Sequence, residues 1–168
     1  MRGFLFAVPV AVLLFACAQK RAVIAAPAPP PVAKVRAAPS VSDAEEFAGL
    51  LHDVVLRFDF DAAELDENGK QQLQRVGEAL RERPWATIRI AGHCDERGTE
   101  EYNLALGQRR ADVARKYLLA LGVDPAAVET VSFGAELPVA FGTTEEEYSQ
   151  NRRDELHPVT TELLGMAE

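Results

Sequence analysis

The sequence has very few cysteines, only Cys17 and Cys94 among 168 residues. It contains no C-x-x-C pair and no H-E-x-x-H segment, and its three histidines lie in unrelated segments. These absences argue against the common structural and catalytic zinc sites. A G-x-S-x-G segment is also missing, which argues against a serine hydrolase. The sequence therefore predicts no metal, no cofactor and no catalytic residue.

Positive charge is in the minority in this chain. It has 18 Lys and Arg residues against 26 Asp and Glu residues, which gives a formal net charge of -8. No basic stripe is visible along the sequence. The negatively charged phosphate backbone of nucleic acids binds proteins that have clustered Lys and Arg. This composition therefore argues against nucleic acid as a partner.

Apolar runs long enough to cross a bilayer comfortably are missing as well. The run FLFAVPVAVLLFA, from Phe4 to Ala16, follows a short positive start, as in a secretory signal peptide. Cys17 then follows a small residue, which resembles the bacterial lipobox. Residues 1–16 are therefore predicted to be a lipoprotein signal peptide, and Cys17 to carry lipid, with further acylation such as palmitate making the anchor stable. The alternative is an ordinary cleaved signal followed by a stray cysteine.

Proline is concentrated in the segment that follows this cysteine. Residues 17–52 contain prolines interleaved with Ala and Val, a composition that cannot pack a core and favours extended polyproline II. At about 3.1 Å per residue, the proline-containing stretch from 18 to 42 reaches roughly 75 Å if fully extended, which suits a tether that lifts a domain off a membrane. A short helix is predicted near its end, over 43–51. If Cys17 carries lipid, Cys94 has no disulfide partner, and the domain predicted at 53–168 depends on its hydrophobic core.

Strand and helix patterns alternate within this predicted domain. Alternating and short apolar runs predict strands over 54–61, 87–92, 128–133 and near 156. Asp66 and Thr99 are predicted N-caps of two main helices, and a short helix is predicted from Thr144. Pro158 has to lie at a strand end or a sheet edge. The predicted fold is α/β, a two-layer sandwich in which two main helices pack on a mixed sheet of about four strands.

One stretch, GHCDERGTEEYN from position 92, concentrates the reactive side chains. His93 and Cys94 are neighbours at the end of a strand, so their side chains point to opposite faces of the sheet. They are therefore not predicted to form a catalytic dyad or to share a metal. Cys94 is expected to be a small, inert residue near the core, and His93 a hydrogen-bonding residue at the strand end.

Arg110 is unusual because it falls on the apolar face of the helix predicted from Thr99. Arg109, its neighbour, falls on the solvent face. A guanidinium is costly to desolvate unless an anion or a ring of acceptors surrounds it. Its head is therefore expected to emerge near the helix start, beside Asp95. Asp61 reaches the same rim if the first two strands pair side by side.

The sequence leaves open two interpretations of the expected proximity of Asp95 and Arg110. Asp95 and Arg110 either form a private salt bridge or face one ligand that carries both charges. A free amino-acid end is such a ligand, with an ammonium for Asp95 and a carboxylate held bidentately by Arg110. The amides at the helix start would favour the anionic group. Nucleophile, base and oxyanion hole are not found together, so the pattern predicts binding rather than catalysis.

Five segments, in this order and spacing, resemble the OmpA-like peptidoglycan-binding family. They are Phe58–Asp61, Gly92–Thr99, Glu101–Asn103, Leu106–Ala111 and Asn151–Arg153. The resemblance implies an OmpA-like fold and a ligand, the meso-diaminopimelate residue of the peptidoglycan stem peptide. It implies that Asp95 binds the ammonium and Arg110 the carboxylate. It also implies a groove lined by Phe60, Asp61, Arg97, Asn103 and Leu106. For Asn151 and Arg152 it leaves open whether they mainly brace the fold.

The same resemblance implies a location and partners. The expected protein is a lipoprotein of the outer membrane whose domain lies in the periplasm and anchors the membrane to the cell wall. TolB and other Tol proteins are the implied protein partners, in envelope constriction at cell division. One alternative is a wall-binding lipoprotein with no Tol partner. A peptidoglycan hydrolase and a flagellar stator relative fit less well, because the first lacks a catalytic set and the second needs a true membrane span.

Overall fold

Helices and strands alternate along residues 40–159, the part of the chain that this computed structural model describes. The predicted signal peptide, Cys17 and most of the predicted tether lie outside these residues. A 3-10 turn at Pro125–Ala127 precedes the third strand. In chain order the other elements are α1 (Val41–His52), β1 (Val55–Arg57), α2 (Glu67–Glu82), β2 (Ile88–His93), α3 (Glu100–Ala120), β3 (Val128–Gly134), α4 (Glu145–Asn151) and β4 (Arg153–Pro158).

Three of these helices begin where the sequence predicts a helix to start. The side chain of Asp66 accepts a hydrogen bond from the Gly69 amide at 2.6 Å, and Thr99 accepts one from Tyr102 at 3.2 Å. Thr144 and Glu147 form a capping box at the start of α4. Each cap satisfies amides that the first helical turn leaves without partners. The predicted caps of α2 and α3 and the predicted start of α4 are therefore confirmed.

The four strands form one mixed sheet in the order β1-β4-β2-β3. β2 runs parallel to β3, and β4 runs antiparallel to both β1 and β2. The expected mixed four-stranded sheet is confirmed, but the first two strands do not pair side by side, which was the condition given for Asp61 to reach the rim. The last strand of the chain, β4, lies between them. Pro158 is at the end of β4, as predicted.

The core lies between the sheet and a layer of helices. Leu73, Val76 and Leu80 of α2 and Ala111, Ala114 and Leu118 of α3 are buried together with Leu56, Ile88, Ile90 and Leu156 of the strands. This confirms the predicted two-layer sandwich. No helix among residues 40–159 is long and apolar enough to span a membrane.

Helix α1 also contributes to this core. Phe47 and Leu51 are both 1% exposed, and the Phe47 ring packs edge-on against Trp85 with their centroids 5.8 Å apart. Full burial of such side chains is worth about 2 kcal/mol each. Residues 41–52, which the sequence pattern assigns to the tether, therefore belong to the folded region that the structure describes.

A pair of glycines sets the distance between α3 and the sheet. A methyl group on Gly92 of β2 would overlap the carbonyl group of Gly107 in α3. The two backbones are therefore in direct contact, which only glycine permits at this point. This contact fixes the start of α3 against the loop that follows β2, where the candidate site lies.

Candidate functional site

A cavity of about 200 Å³ opens beside the start of α3. It brings together all seven residues that the sequence analysis assigned to ligand binding. Three further residues, Gly98, Tyr102 and Arg152, complete its wall. The lining residues are Phe60, Asp61, Asp95, Arg97, Gly98, Tyr102, Asn103, Leu106, Arg110 and Arg152. Their role in binding a ligand stays a prediction, but their position around one cavity is a property of the structure.

Asp61 reaches the cavity by a route that differs from the expected strand pairing. β1 ends at Arg57, and the chain then runs as a loop over the cavity. Asp61 has a positive φ of 56°, a conformation that Asp tolerates better than most residues. The hydroxyl of Tyr102 donates a hydrogen bond to the Asp61 carboxylate. The loop therefore contacts the first turn of α3 directly.

Arg110 is the largest side chain that is fully buried in the described structure, with 0% of its surface exposed. Its Nε donates to the Ala62 carbonyl at 2.8 Å, Nη1 to the His93 carbonyl at 2.9 Å, and Nη2 to the Asp59 carbonyl at 3.1 Å. Carbonyl dipoles, rather than a carboxylate, therefore surround the charge. Burial lowers the pKa of Arg110 below its ordinary value, but a guanidinium keeps its proton.

These hydrogen bonds change the interpretation of the Arg110 head group. Nη1 also contacts the Cys94 sulfur at 3.5 Å, so four of the five guanidinium N–H groups have partners. One N–H on Nη2 is left without a partner among residues 40–159. At most one N–H of Arg110 is therefore left for a ligand carboxylate, and the expected bidentate hold does not fit this geometry. The private salt bridge with Asp95 is wrong, because Arg110 is held by carbonyls instead.

Asp95 is buried and surrounded by arginine. Its Oδ1 accepts from the backbone N–H of Arg97 at 3.1 Å and from Nε of the same residue at 3.1 Å. Its Oδ2 accepts from Nη2 of Arg97 at 2.7 Å and from Nη1 of Arg152 at 3.1 Å. Burial alone raises the pKa of Asp95, but the hydrogen bonds from Arg97 and Arg152 outweigh it and hold the pKa below its ordinary value. The carboxylate is therefore ionised at neutral pH.

Arg97 lies between two aromatic rings at the mouth of the cavity. Its guanidinium carbon is 4.1 Å from the centroid of Phe60 and 4.3 Å from that of Tyr148. Nη1 also pairs with Glu145 at 3.2 Å. Cation–π contacts of this kind each contribute about 0.5–1 kcal/mol at exposed positions. They account for the exposure of the Phe60 ring at the cavity rim.

Asn151 and Arg152 brace the wall around this cluster. The Asn151 side chain accepts hydrogen bonds from the amides of Val139 and Ala140 and donates one to the Ala140 carbonyl. Arg152 donates to the Phe58 carbonyl at 3.1 Å and to Glu145 at 2.7 Å, in addition to Asp95. Asn151 is a structural residue in this arrangement. Arg152 braces the wall and also lines the cavity.

Cys94 and His93 have no open reactive surface. Cys94 is buried, donates to the Asn103 carbonyl at 3.3 Å, and has a pKa raised by burial, which agrees with an inert residue near the core. The expectation for the His93 side chain is wrong. Both ring nitrogens are buried without a hydrogen-bond partner within residues 40–159, and the ring stacks on Phe133 at 5.4 Å. No group of three metal-binding side chains occurs in that range.

Two residues of the cavity wall, Gly98 and Tyr102, were not predicted from the sequence, and the role of a third, Arg152, was left open. Tyr102 and Gly98 lie within the stretch that begins at position 92. The signal for Tyr102 was an aromatic residue in the first turn of the predicted helix α3. Arg152 is separated from Asp95 by 57 positions. Only the insertion of β4 into the centre of the sheet brings these two residues together.

Comparison with known proteins places the chain in one family. Residues 57–152 match the OmpA family. The peptidoglycan-associated lipoprotein of Pseudomonas putida is 40% identical over 111 residues, which cover 66% of this chain and 66% of that protein. The protein of the same name from Pseudomonas aeruginosa is 43% identical over 99 residues, covering 59% and 58%. The chain thus spans less than two thirds of the length of these relatives.

Solved structures agree with this comparison. The crystal structure of the peptidoglycan-associated lipoprotein from Burkholderia pseudomallei has a TM-score of 0.63 and 44% identity, covering 66% of this chain and 93% of that chain. The C-terminal domain of Helicobacter pylori MotB has a TM-score of 0.58 at 20% identity, which shows a shared fold alone. The family match covers more than half of the chain, so the chain belongs to the OmpA family and is similar to its peptidoglycan-associated lipoproteins.

Proposed function

We propose that this protein binds the meso-diaminopimelate residue of the peptidoglycan stem peptide and performs no chemistry on it. The observation that carries the proposal is the cavity in which Asp95 and Arg110 both form part of the wall without pairing with each other. The free end of diaminopimelate carries an ammonium and a carboxylate. A ligand with both charges is complementary to a cavity that presents both.

The two charged groups differ in what they offer to such a ligand. Asp95 offers a buried, ionised carboxylate, and Arg110 offers one N–H together with a full positive charge in a desolvated place. Electrostatic interactions are stronger there than in water. Asn103 and Leu106 of α3 supply a polar and an apolar part of the wall, respectively. The relatives named peptidoglycan-associated lipoproteins support this ligand class.

We further propose that the protein is anchored in the outer membrane through lipid on Cys17, with its domain in the periplasm, and that it links this membrane to the cell wall. The Pro/Ala-rich segment after Cys17 would serve as the tether. Interaction with TolB within the Tol–Pal system, in envelope constriction at cell division, follows from the likeness to the peptidoglycan-associated lipoproteins. Capture of TolB from crosslinked envelopes would separate this function from wall binding without a Tol partner.

The ligand assignment is tested by comparing two kinds of cell wall. The full chain is sedimented with insoluble peptidoglycan that contains meso-diaminopimelate and with peptidoglycan that contains lysine at the same position. Lysine retains the ammonium but lacks the adjoining carboxylate, so we expect at least a tenfold weaker interaction, equivalent to about 1.4 kcal/mol. Equal sedimentation with both walls would contradict recognition of the zwitterionic end.

A further inference from the structure

The Asp95 carboxylate has no acceptor site left for a ligand. A carboxylate has about four lone-pair sites. Here two on Oδ1 are used by the backbone N–H and Nε of Arg97, and two on Oδ2 by Nη2 of Arg97 and Nη1 of Arg152. A ligand ammonium therefore cannot bind Asp95 unless one of these donors leaves.

Arg97 is the donor that is free to leave. The Arg152 side chain is 7% exposed and is fixed at its other N–H groups by the Phe58 carbonyl and Glu145. The Arg97 side chain is 34% exposed, lines the cavity, and makes two of the four contacts to Asp95 through its guanidinium. Removing Arg152 would break a buried network, which costs more than moving a surface side chain.

A place for the displaced guanidinium already exists. Nη1 of Arg97 is 3.2 Å from Glu145, whose side chain is 63% exposed. Phe60 and Tyr148 flank the guanidinium on its two faces. A small rotation away from Asp95 retains the carboxylate of Glu145 as an acceptor. Arg97 thus gives up its side-chain contacts to Asp95 but keeps its existing ion pair with Glu145 and its contacts with the two rings, which limits the cost of the exchange.

We propose that Arg97 is a built-in occupant of the ammonium position, which the ligand's ammonium displaces from Asp95. The inference rests on the function proposed above and adds a selection step to it. A ligand without an ammonium cannot take over the Asp95 carboxylate, so it leaves Arg97 in place. When no ligand is bound, the Arg97 guanidinium pairs with Asp95. This pairing avoids a buried carboxylate without a partner.

The exchange is tested directly by the NMR signal of the Arg97 Nε–H group in the full chain. The two flanking rings give this proton a shifted resonance, which Arg97→Gln identifies by its disappearance. On addition of free meso-diaminopimelate, we expect the resonance to move toward the chemical shift of an exposed arginine. The change should level off as the ligand concentration rises. Pimelate, which lacks both amino groups, should leave it unchanged.

The outcomes separate this inference from the proposed function. If meso-diaminopimelate binds, as shown by calorimetry, while the Arg97 resonance stays in place, the exchange is wrong and the proposed function stands. If meso-diaminopimelate produces neither heat nor any spectral change, the proposed function itself fails.

Affinity provides an independent test of the same exchange. Arg97→Gln removes the resident cation, so free meso-diaminopimelate should bind several-fold more tightly. Arg97→Lys restores a cation and should return the affinity toward that of the unaltered chain. Weaker binding by Arg97→Gln would identify Arg97 as a ligand contact rather than an occupant, and would overturn the inference.

Discussion

At the scale of single residues, Arg110 shows how a full charge is held inside the protein without an internal acid. Carbonyl groups of Ala62, His93 and Asp59, from two separate segments, converge on its guanidinium. The side chain therefore ties the loop after β1 and the end of β2 to α3. Its charge is stabilised by dipoles but is not neutralised by an ion pair, and this leaves electrostatic attraction for an anionic ligand.

His93 is expected to make the protein sensitive to acid. Burial lowers the pKa of its imidazole from 6.5 to about 4, so the unfolded chain binds a proton in this pH range that the folded chain does not. The stability contribution of neutral His93 is fully present above pH 6.5 and is lost as the pH falls toward 4. The loss amounts to roughly 3 kcal/mol in the free energy of unfolding.

Urea unfolding at pH 7 and pH 4 measures this effect. The variant His93→Phe keeps a ring that stacks on Phe133 but cannot titrate, so its stability should fall less between the two pH values than that of the unaltered chain. Identical pH profiles for the two proteins would show that His93 is not held neutral by burial.

Asp154 is expected to destabilise the protein at neutral pH. Its side chain is fully buried in β4, and both carboxyl oxygens lack a hydrogen-bond partner within residues 40–159. Burial raises its pKa well above the ordinary value, with Arg110 opposing the shift. Because the folded pKa is raised, stability falls as the pH rises from about 4.

Replacement of this carboxyl by an apolar group of similar size should therefore stabilise the fold. We expect Asp154→Val to raise the free energy of unfolding at pH 7 by about 1–3 kcal/mol, measured by urea denaturation. Asp154 does not line the cavity, so binding should be retained. A loss of stability would instead indicate that Asp154 is ionised and supports Arg110.

At the scale of elements, the contact between β2 and α3 controls the shape of the cavity. Gly92→Ala places a methyl group where the Gly107 carbonyl lies, and overpacking of this kind costs about 1–3 kcal/mol. Because α3 has to move away from β2, both the melting temperature and peptidoglycan binding should decrease. Gly49→Ala in α1, where the added group meets nothing within 4 Å, is the matched control. Unchanged binding by Gly92→Ala would show that the cavity tolerates displacement of α3.

The elements differ in how well the sequence predicts them. α2 and α3 combine capping residues with a continuous apolar face, so their starts at Asp66 and Thr99 follow from local signals. β1 was predicted to be longer, because the alternation in Phe58–Asp61 continues past Arg57 although the backbone turns at Asp61. β4 has a weak pattern since it contains buried charged residues. Its place in the centre of the sheet depends on long-range pairing that local patterns do not contain.

At the scale of the whole molecule, the candidate site combines residues from four parts of the chain. Helical periodicity placed Arg110 on the buried face of α3, position along the chain proposed Asp95 and Asp61 beside it, and the family resemblance supplied the other four predicted residues. None of these could show that Arg97 and Arg152 together saturate Asp95, because the Arg152 contact depends on how α4 and β4 return to the loop after β2. The free N–H on Arg110 likewise depends on carbonyls that only the folded chain brings together.

The central claim is that Asp95 and Arg110 together bind one zwitterionic ligand. It is tested most directly by sedimentation of the full chain and three variants with peptidoglycan that contains meso-diaminopimelate, after thermal unfolding has shown that each variant is folded. Asp95→Asn removes the anion and Arg110→Lys removes the planar donor, so each should reduce binding at least tenfold. Arg109→Ala, on the exposed face of α3, is the control and should bind nearly as well as the unaltered chain. Equal losses in all three variants, or full binding by a folded Asp95→Asn, would contradict the account.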